Sequence, residues 1–132
     1  MGMHLDNFGQ FLGYQLLPPS TPDELPRVQM TIEERHLSSA GVAHGGAVFS
    51  LMDFAFGAIL TLTRSEDNEH CSTVGLHIEY LKPVPLGTVA TVTTYIEHRG
   101  RSLVRVRGEL HDQNDLLLAY ATGVFNLYRR KS

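Results

Sequence analysis

The longest apolar segment of the chain runs from Gly45 to Thr63 and begins directly after His44. Apolar residues cover nearly all faces of a helix drawn through this segment, which is typical of a helix that is buried on all sides. Asp53 and two hydroxyl residues interrupt the segment, so it does not reach the hydrophobicity of a membrane span. We therefore expect a core helix that ends near Arg64 and that the rest of the chain surrounds.

Segments with alternating apolar and polar residues flank this helix on both sides. Before it, strands are expected at 14–17 and over Val28, Met30 and Ile32. After it, one strand is expected to place four residues on one face and to stop at Lys82-Pro83: Val74, Leu76, Ile78 and Tyr80. Three more strands are expected at about 88–98, 101–111 and 115–128.

The last four strands are expected to form an antiparallel meander, because short turn-forming stretches separate them. With the earlier strands they give a sheet of five or six strands, long enough to curl around one central helix. Residues 3–12 predict a short amphipathic helix, stopped by Gly13 and packed over an edge of the sheet, and residues 36–43 predict a loop. The predicted fold class is α+β.

Composition limits the classes of protein and partner. The chain has 132 residues, 42% of them hydrophobic, which predicts a single domain spanning 1–132. A net charge of −3 with scattered cationic residues argues against nucleic acid. The single cysteine excludes an internal disulfide and a cysteine-based zinc cluster. The first residues lack a secretory signal, so a cytoplasmic location is expected.

The turn His44-Gly45-Gly46 has a chemical meaning at the start of a helix. Its unpaired backbone N–H groups and the positive end of the helix dipole suit a developing oxyanion. Gly45, without a side chain, lets a reacting carbon approach its backbone, and Gly46 permits a tight turn into the helix. Taken alone, without the later aspartate, the two glycines favour a purely structural turn.

Asp53 is the candidate base, since a carboxylate in an apolar helix is costly unless it has a partner or a function. From His44 to Asp53 an α-helix rises roughly 13.5 Å and turns about 900°, so the two positions face in opposite directions. One small reacting group needs the oxyanion donor and the base within about 3 Å. The sequence therefore predicts a homodimer whose two-fold axis builds two shared sites.

Other residues near this motif have two interpretations each. His44 either donates a hydrogen bond to the oxygen of a substrate carbonyl or holds the loop by bonding a backbone carbonyl. Arg99 and Arg101 either bind phosphates of a substrate or are solvated hairpin charges. Phe49, with Phe54 and Phe56, either lines a substrate pocket or belongs to the core.

Several other chemistries lack their motifs. There is no Gly-x-Ser-x-Gly sequence for a serine hydrolase and no phosphate-binding glycine loop. The seven histidines do not form His-Glu-x-x-His, so no metal is expected. Cys71 is expected to pack rather than to act as a nucleophile.

The stretch Gly41-Val42-Ala43-His44-Gly45-Gly46, with Asp53 nine residues after His44, resembles the acyl-CoA thioesterases of the phenylacetate-type (PaaI-like) family. Tyr80-Leu81-Lys82-Pro83 and the hairpin at 98–101 extend the likeness over most of the chain. The resemblance implies the hotdog fold. It also implies that the Gly45 N–H holds the thioester oxygen while Asp53 of the other subunit activates or orients water.

The chain departs from this family at two positions. In this family Asn is common six residues before the motif histidine, where its amide helps to position the substrate carbonyl or the aspartate. This chain has Ser38 there, and its shorter side chain loses that contact or replaces it by water. Some relatives have a serine at the position of Thr73, which keeps the hydroxyl.

The resemblance thus predicts hydrolysis of an acyl-CoA thioester without cofactor. The alternative is a hotdog dimer that binds acyl-CoA or aromatic ligands without turnover, with Ser38 as the sign of a weakened site. A hotdog dehydratase would need a different loop pattern. The acyl group, the choice between coenzyme A and a carrier protein, and the pairing of dimers into tetramers are left open by the sequence.

Overall fold

The computed structural model describes residues 6–131. Its elements are α1 (Asn7–Leu12), β1 (Gln15–Leu17), β2 (Arg27–Thr31), a 3-10 turn (Glu34–His36), α2 (Gly45–Leu62), β3 (Glu69–Tyr80), β4 (Val89–Arg99), β5 (Leu103–His111) and β6 (Leu117–Arg129). The six strands form one open antiparallel sheet in the order β1-β2-β4-β5-β6-β3. Helix α2 packs against it, as the predicted α+β class requires.

Helix α2 begins and ends on its own side chains. The ring nitrogen Nδ1 of His44 accepts the Gly46 N–H at 2.8 Å, which caps the N-terminus. At the other end the N–H and the hydroxyl of Thr63 both donate to the Ile59 carbonyl. The helix therefore stops at Leu62, two residues earlier than expected.

By length and hydropathy, α2 passes the test for a membrane span, with a mean hydropathy of 1.6. A buried core helix passes the same test. Of its 18 residues, the buried ones face the sheet and its flanking loops: Val48, Leu51, Met52, Ala55, Phe56, Ala58, Ile59 and Leu60. The expected core helix is confirmed.

Helix α2 packs closely on the middle of the sheet at Phe56. Its ring lies over Gly108 of β5 and Gly123 of β6, where an added Cβ would come within 2.6 Å and 3.1 Å of ring carbons. Phe125 meets the same ring edge-on, with centroids 6.1 Å apart. Glycine at 108 is thus needed for the helix to reach the sheet.

The predicted four-stranded meander is wrong in one pairing. Only β4, β5 and β6 follow each other in the sheet, whereas β3 pairs with β6 along its whole length and β4 pairs with β2. Alternation specifies which face of a strand is buried but not which strand is its neighbour. The long helix between β2 and β3 carries the chain to the opposite edge of the sheet.

A β-bulge corrects the expected face of β3. The register with β6 shifts between Thr73 and Gly75, and Val74 is 62% exposed. Thr73 therefore lies on the side facing α2, together with Leu76 and Tyr80 beyond the bulge. Val74 does not share that face, contrary to the expectation.

The region before α2 is more ordered than the expected loop at 36–43. His36 is buried and its Nε2 donates to the Leu12 carbonyl at 2.8 Å, so the 3-10 turn holds the end of α1. Leu37 then pairs with Ala43 across a tight turn. The expected helix start at residue 3 lies outside the described residues, and α1 begins at Asn7.

Thr94 provides a test of this core. Its hydroxyl is buried and has no hydrogen-bond partner within residues 6–131. We expect Thr94→Val to raise the free energy of unfolding by about 1 kcal/mol, because an unsatisfied buried hydroxyl is replaced by a methyl of similar size. Urea titration measures the change. Thr91→Val is the matched control on the same strand, since Thr91 Oγ1 accepts a hydrogen bond from Gln29, and it should not stabilise the protein.

Candidate active site

One row of α2 residues, spaced by four, faces strand β3. The Tyr80 hydroxyl donates to the Gly45 carbonyl at 2.8 Å, and the Thr73 hydroxyl donates to Asp53 Oδ1 at 2.7 Å. One turn further, Cys71 Sγ lies 3.9 Å from the Gly57 carbonyl. Helix and strand run in opposite directions, so each step along α2 meets an earlier residue of β3.

Asp53 has one oxygen engaged and one available. Oδ1 accepts from Thr73, and Oδ2 has no hydrogen-bond partner within the described part of the chain. The carboxylate opens into a cleft of about 420 Å³. The cleft is lined by Asp6 and Phe8, by α2 residues Phe49, Ser50, Phe54, Gly57, Ala58 and Thr61, by Cys71 and Ser72, and by Phe125. A water held by Oδ2 would face an apolar wall.

Gly45 offers a backbone donor at the first position of α2. Its N–H is bonded to no residue between 6 and 131, as expected for the first turn of a helix. Tyr80 covers the glycine, and its hydroxyl oxygen would lie 3.5 Å from an added Cβ. Partial burial raises the pKa of Tyr80 above its ordinary value of 10.0, so the phenol stays a donor to the Gly45 carbonyl at neutral pH.

His44 is the N-cap of the helix. Because its Nδ1 accepts the Gly46 N–H, a neutral ring carries its proton on Nε2, and that N–H is left to donate. The alternative in which the ring bonds a backbone carbonyl is not the arrangement observed. The Gly46 N–H, expected to be unpaired and available to bind substrate, is occupied by His44.

Within one chain Asp53 and Gly45, the candidate base and the candidate oxyanion donor, are separated. Gly45 lies in a second depression, lined by Ala43, Val48 and residues 80–84, which does not include Asp53. Gly45 and Asp53 both face β3. The opposite orientation that was expected for the motif and Asp53 is therefore not the reason for their separation. The separation is lengthwise, because eight residues of helix rise about 12 Å.

Ser38 closes the tight turn before the motif. Its Oγ accepts the Ala40 N–H at 3.2 Å, while its N–H donates to the Val42 carbonyl. The hydroxyl therefore supports the loop locally. Its own proton remains available to donate, and no contact joins it to Asp53 of the same chain.

Arg99 and Arg101 differ in their surroundings. Arg99 donates to Thr63 Oγ1 at 2.7 Å and lies 3.5 Å from the carboxylate of Glu69, which is only 3% exposed. Arg129 contacts the same carboxylate at 2.9 Å. Arg99 is thus part of a structural ion network, while the Arg101 side chain is exposed and makes no such contact within residues 6–131.

The three phenylalanines of α2 divide between cleft and core. Phe49 is 38% exposed and lines the cleft beside Asp53, Phe54 borders the cleft while packing on Tyr14, and Phe56 is fully buried. Cys71 lies in the cleft wall, and burial raises the pKa of its thiol, so the reactive thiolate is disfavoured. This fits the expectation that Cys71 packs.

Two residues that position the motif were not singled out from the sequence. Tyr80 was assigned to the inward face of a strand and to the family likeness without a role of its own, yet its hydroxyl holds the first turn of α2. His36 accepts the His44 N–H on its carbonyl and bonds both α1 and the 3-10 turn through its ring. A tyrosine at a predicted inward position was the available signal for the first, and none existed for the second.

No group of three metal-ligating side chains occurs among residues 6–131.

The two arginines give a paired test of this assignment. We expect Arg99→Ala to lower the free energy of unfolding by about 1 to 3 kcal/mol, because the buried Glu69 carboxylate loses a donor. Arg101→Ala should leave the stability unchanged, since its side chain is exposed. Urea unfolding of both variants measures the difference, and equal stabilities would contradict the structural role of Arg99.

Comparison with known proteins agrees with this geometry. The profile of the Thioesterase superfamily matches residues 40–119. A putative esterase of Pseudomonas aeruginosa is 31% identical over 100 residues, covering 76% of this chain and 73% of the relative. The medium/long-chain acyl-CoA thioesterase YigI of Salmonella typhimurium is 32% identical over 96 residues, covering 64% of this chain and 61% of YigI.

Solved structures share the architecture. The phenylacetic acid degradation protein PaaI of Thermus thermophilus, solved as a point mutant, superposes with a TM-score of 0.78 at 26% identity, covering 92% of this chain and 98% of PaaI. PaaI of E. coli gives a TM-score of 0.81 at 24% identity, covering 96% and 86%. The expected hotdog fold and the resemblance to the PaaI-like proteins are thereby confirmed. The chain belongs to the Thioesterase superfamily and is a thioester hydrolase.

Proposed function

We propose that the protein is an acyl-CoA thioesterase whose active sites are shared between two copies of the chain. The observation that supports this most directly is the separation of Asp53 and Gly45 into different depressions of one chain. A single site needs both groups within about 3 Å of the reacting carbonyl. Since about 12 Å of rigid helix separates them, the donor that serves Asp53 comes from a partner.

Strand β3 supplies the surface for this partner. It is an edge strand of twelve residues with its outer edge unpaired within the described sheet, and Val74 and Tyr80 on it are exposed. Antiparallel pairing of two β3 strands about a two-fold axis would lay the two α2 helices side by side in opposite directions. Gly45 of one chain then approaches Asp53 of the other.

The chemistry follows from the groups present. The thioester oxygen accepts the Gly45 N–H of one subunit, with the His44 Nε2–H beside it. A water bound to Asp53 Oδ2 of the other subunit attacks the carbonyl carbon, and its proton passes to the carboxylate. Collapse of the tetrahedral intermediate breaks the C–S bond, and the leaving sulfur takes up the proton. The products are a carboxylic acid and coenzyme A, formed without metal or cofactor.

Coenzyme A as the thiol is supported by the relatives. YigI of Salmonella typhimurium and the human acyl-coenzyme A thioesterase 13, which is 28% identical over 97 residues, both act on such esters by their names. Membership of a hydrolase superfamily also favours turnover over the ligand-binding alternative.

Two variants separate the two halves of the site. We expect Asp53→Ala to reduce kcat at least about a hundredfold by removal of the base. Gly45→Pro should reduce it by a similar factor of about a hundred, because proline removes the N–H. Proline is tolerated at the first position of a helix, and His44 already has the extended backbone that precedes proline. Gly45→Ala, which keeps the N–H, is the control.

The decisive measurement is activity of a heterodimer that combines one Asp53→Ala chain with one Gly45→Pro chain. In a shared arrangement one of its two sites carries both substitutions and the other carries neither. Co-expressed and doubly purified heterodimer should thus recover about half of the wild-type rate, since one of the two sites is intact. If each site came from one chain, both would be damaged, and an inactive heterodimer would contradict the proposal.

Thr73 is proposed to position Asp53. Thr73→Val removes the 2.7 Å hydrogen bond to Oδ1, and a bond to a charged group is worth about 1.5 to 3 kcal/mol, so kcat should fall about ten- to a hundredfold. Thr73→Ser keeps the hydroxyl and should retain most of the activity. A full rate in Thr73→Val would show that the hydrogen bond is dispensable.

A further inference from the structure

Gly57 has no structural reason to be glycine. It lies in the middle of α2, where glycine weakens a helix relative to alanine. An added Cβ would meet no atom within 4 Å, in contrast to Gly108 and Gly123, where the ring of Phe56 requires glycine. Neither a turn nor close packing within the described chain explains this residue.

The empty space beside Gly57 is the cleft that contains Asp53. Gly57 lies one helical turn beyond Asp53 on the same row of α2, and both line the cleft. Ala58 and Thr61 continue the lining toward the end of the helix, with Cys71 opposite on β3. A side chain at position 57 would therefore project into the path that leads from the carboxylate along the helix.

The walls of this path are apolar even where the residues are not. The Thr61 hydroxyl donates to the Gly57 carbonyl at 2.9 Å, and Cys71 Sγ faces the same carbonyl. Both polar groups are turned toward the helix backbone and away from the path. Phe54, Ala58 and Phe125 complete the apolar lining. The Ser50 hydroxyl is likewise turned to the backbone, where it donates to the Gly46 carbonyl, while Asp6 and Ser72 also line the cleft. The stretch from Gly57 to Thr61 itself fits a hydrocarbon.

We propose that Gly57 keeps this path open as a lane for a straight, unsubstituted acyl chain and thereby sets the chain length of the substrate. This inference rests on the proposed thioesterase function. From Asp53 to Thr61 the helix rises about 12 Å. An extended chain advances about 1.2 Å per bond, so the lane holds roughly ten carbons. Any side chain larger than glycine at position 57 shortens the lane, because it blocks the lane one helical turn beyond Asp53.

The test is a series of substitutions at this position, assayed with butanoyl-, octanoyl- and decanoyl-CoA. Gly57→Leu should lower kcat/KM for decanoyl-CoA about ten- to two-hundredfold, the range that one misplaced methylene or more costs in a pocket. Butanoyl-CoA, whose chain ends before the obstruction, should be hydrolysed at the wild-type rate. Gly57→Ala should fall between wild type and Gly57→Leu.

Stability and a matched variant exclude indirect effects. Gly57→Ala should raise the midpoint of thermal unfolding by a few degrees, because alanine favours the helix and meets no neighbour. Thr122→Leu adds the same leucine on the exposed face of β6, outside the cleft, and should leave the chain-length profile unchanged.

The outcomes separate this inference from the function on which it rests. Wild type that hydrolyses the esters, with Gly57→Leu equally active on all lengths or equally weakened on all, overturns the lane alone. A change of oligomeric state in Gly57→Leu by analytical ultracentrifugation also overturns it, because position 57 would then contact another chain. Wild type that hydrolyses no CoA ester overturns the proposed function and the lane with it.

Discussion

The contact of Phe56 with two strand glycines is the interaction from which the rest of the site follows. Gly108 and Gly123 remove side chains from the centre of the sheet, and the ring of Phe56 fills the space. This contact fixes the rotation of α2 about its own axis, because only one face of the helix can hold a large ring against the sheet. With Phe56 directed at the sheet, the row that contains Gly45, Asp53 and Gly57 is directed at β3.

Side chains of strand β3 contact successive residues of that row. Its bulge after Thr73 changes the alternation of side chains, so that Thr73 before the bulge and Tyr80 beyond it both face α2. Without the extra residue, one of these two hydrogen bonds would be lost to the opposite face of the sheet. The same strand forms the free edge of the sheet. The strand that orients Asp53 thus also carries the surface to which a second chain is proposed to bind.

The sequence predicted the elements well and the neighbours less well. The core helix was found from its continuous apolar segment and the strands from alternation, because burial of one face imposes that periodicity on each strand locally. The start of β3 at Glu69, before the expected Val74, was not predicted. The predicted neighbour of β3 in the sheet was wrong, since strand order depends on the edge of the sheet to which α2 carries the chain. Arg99 was a candidate for phosphate binding because of its hairpin position. Its actual partner, Glu69, lies 30 residues away in the sequence and left no local signal.

By itself the sequence determined the chemistry that is available: a glycine N–H at a helix start, a carboxylate in an apolar segment, and the spacing that keeps them apart. Those are properties of residue type and helix geometry, which are local. The tertiary structure alone decided that the hydroxyl of Thr73 holds Asp53, that His44 caps the helix, and that the space beside Gly57 is a cleft rather than a packed contact. Each of these depends on two segments meeting across the fold, and no pattern within either segment specifies the other.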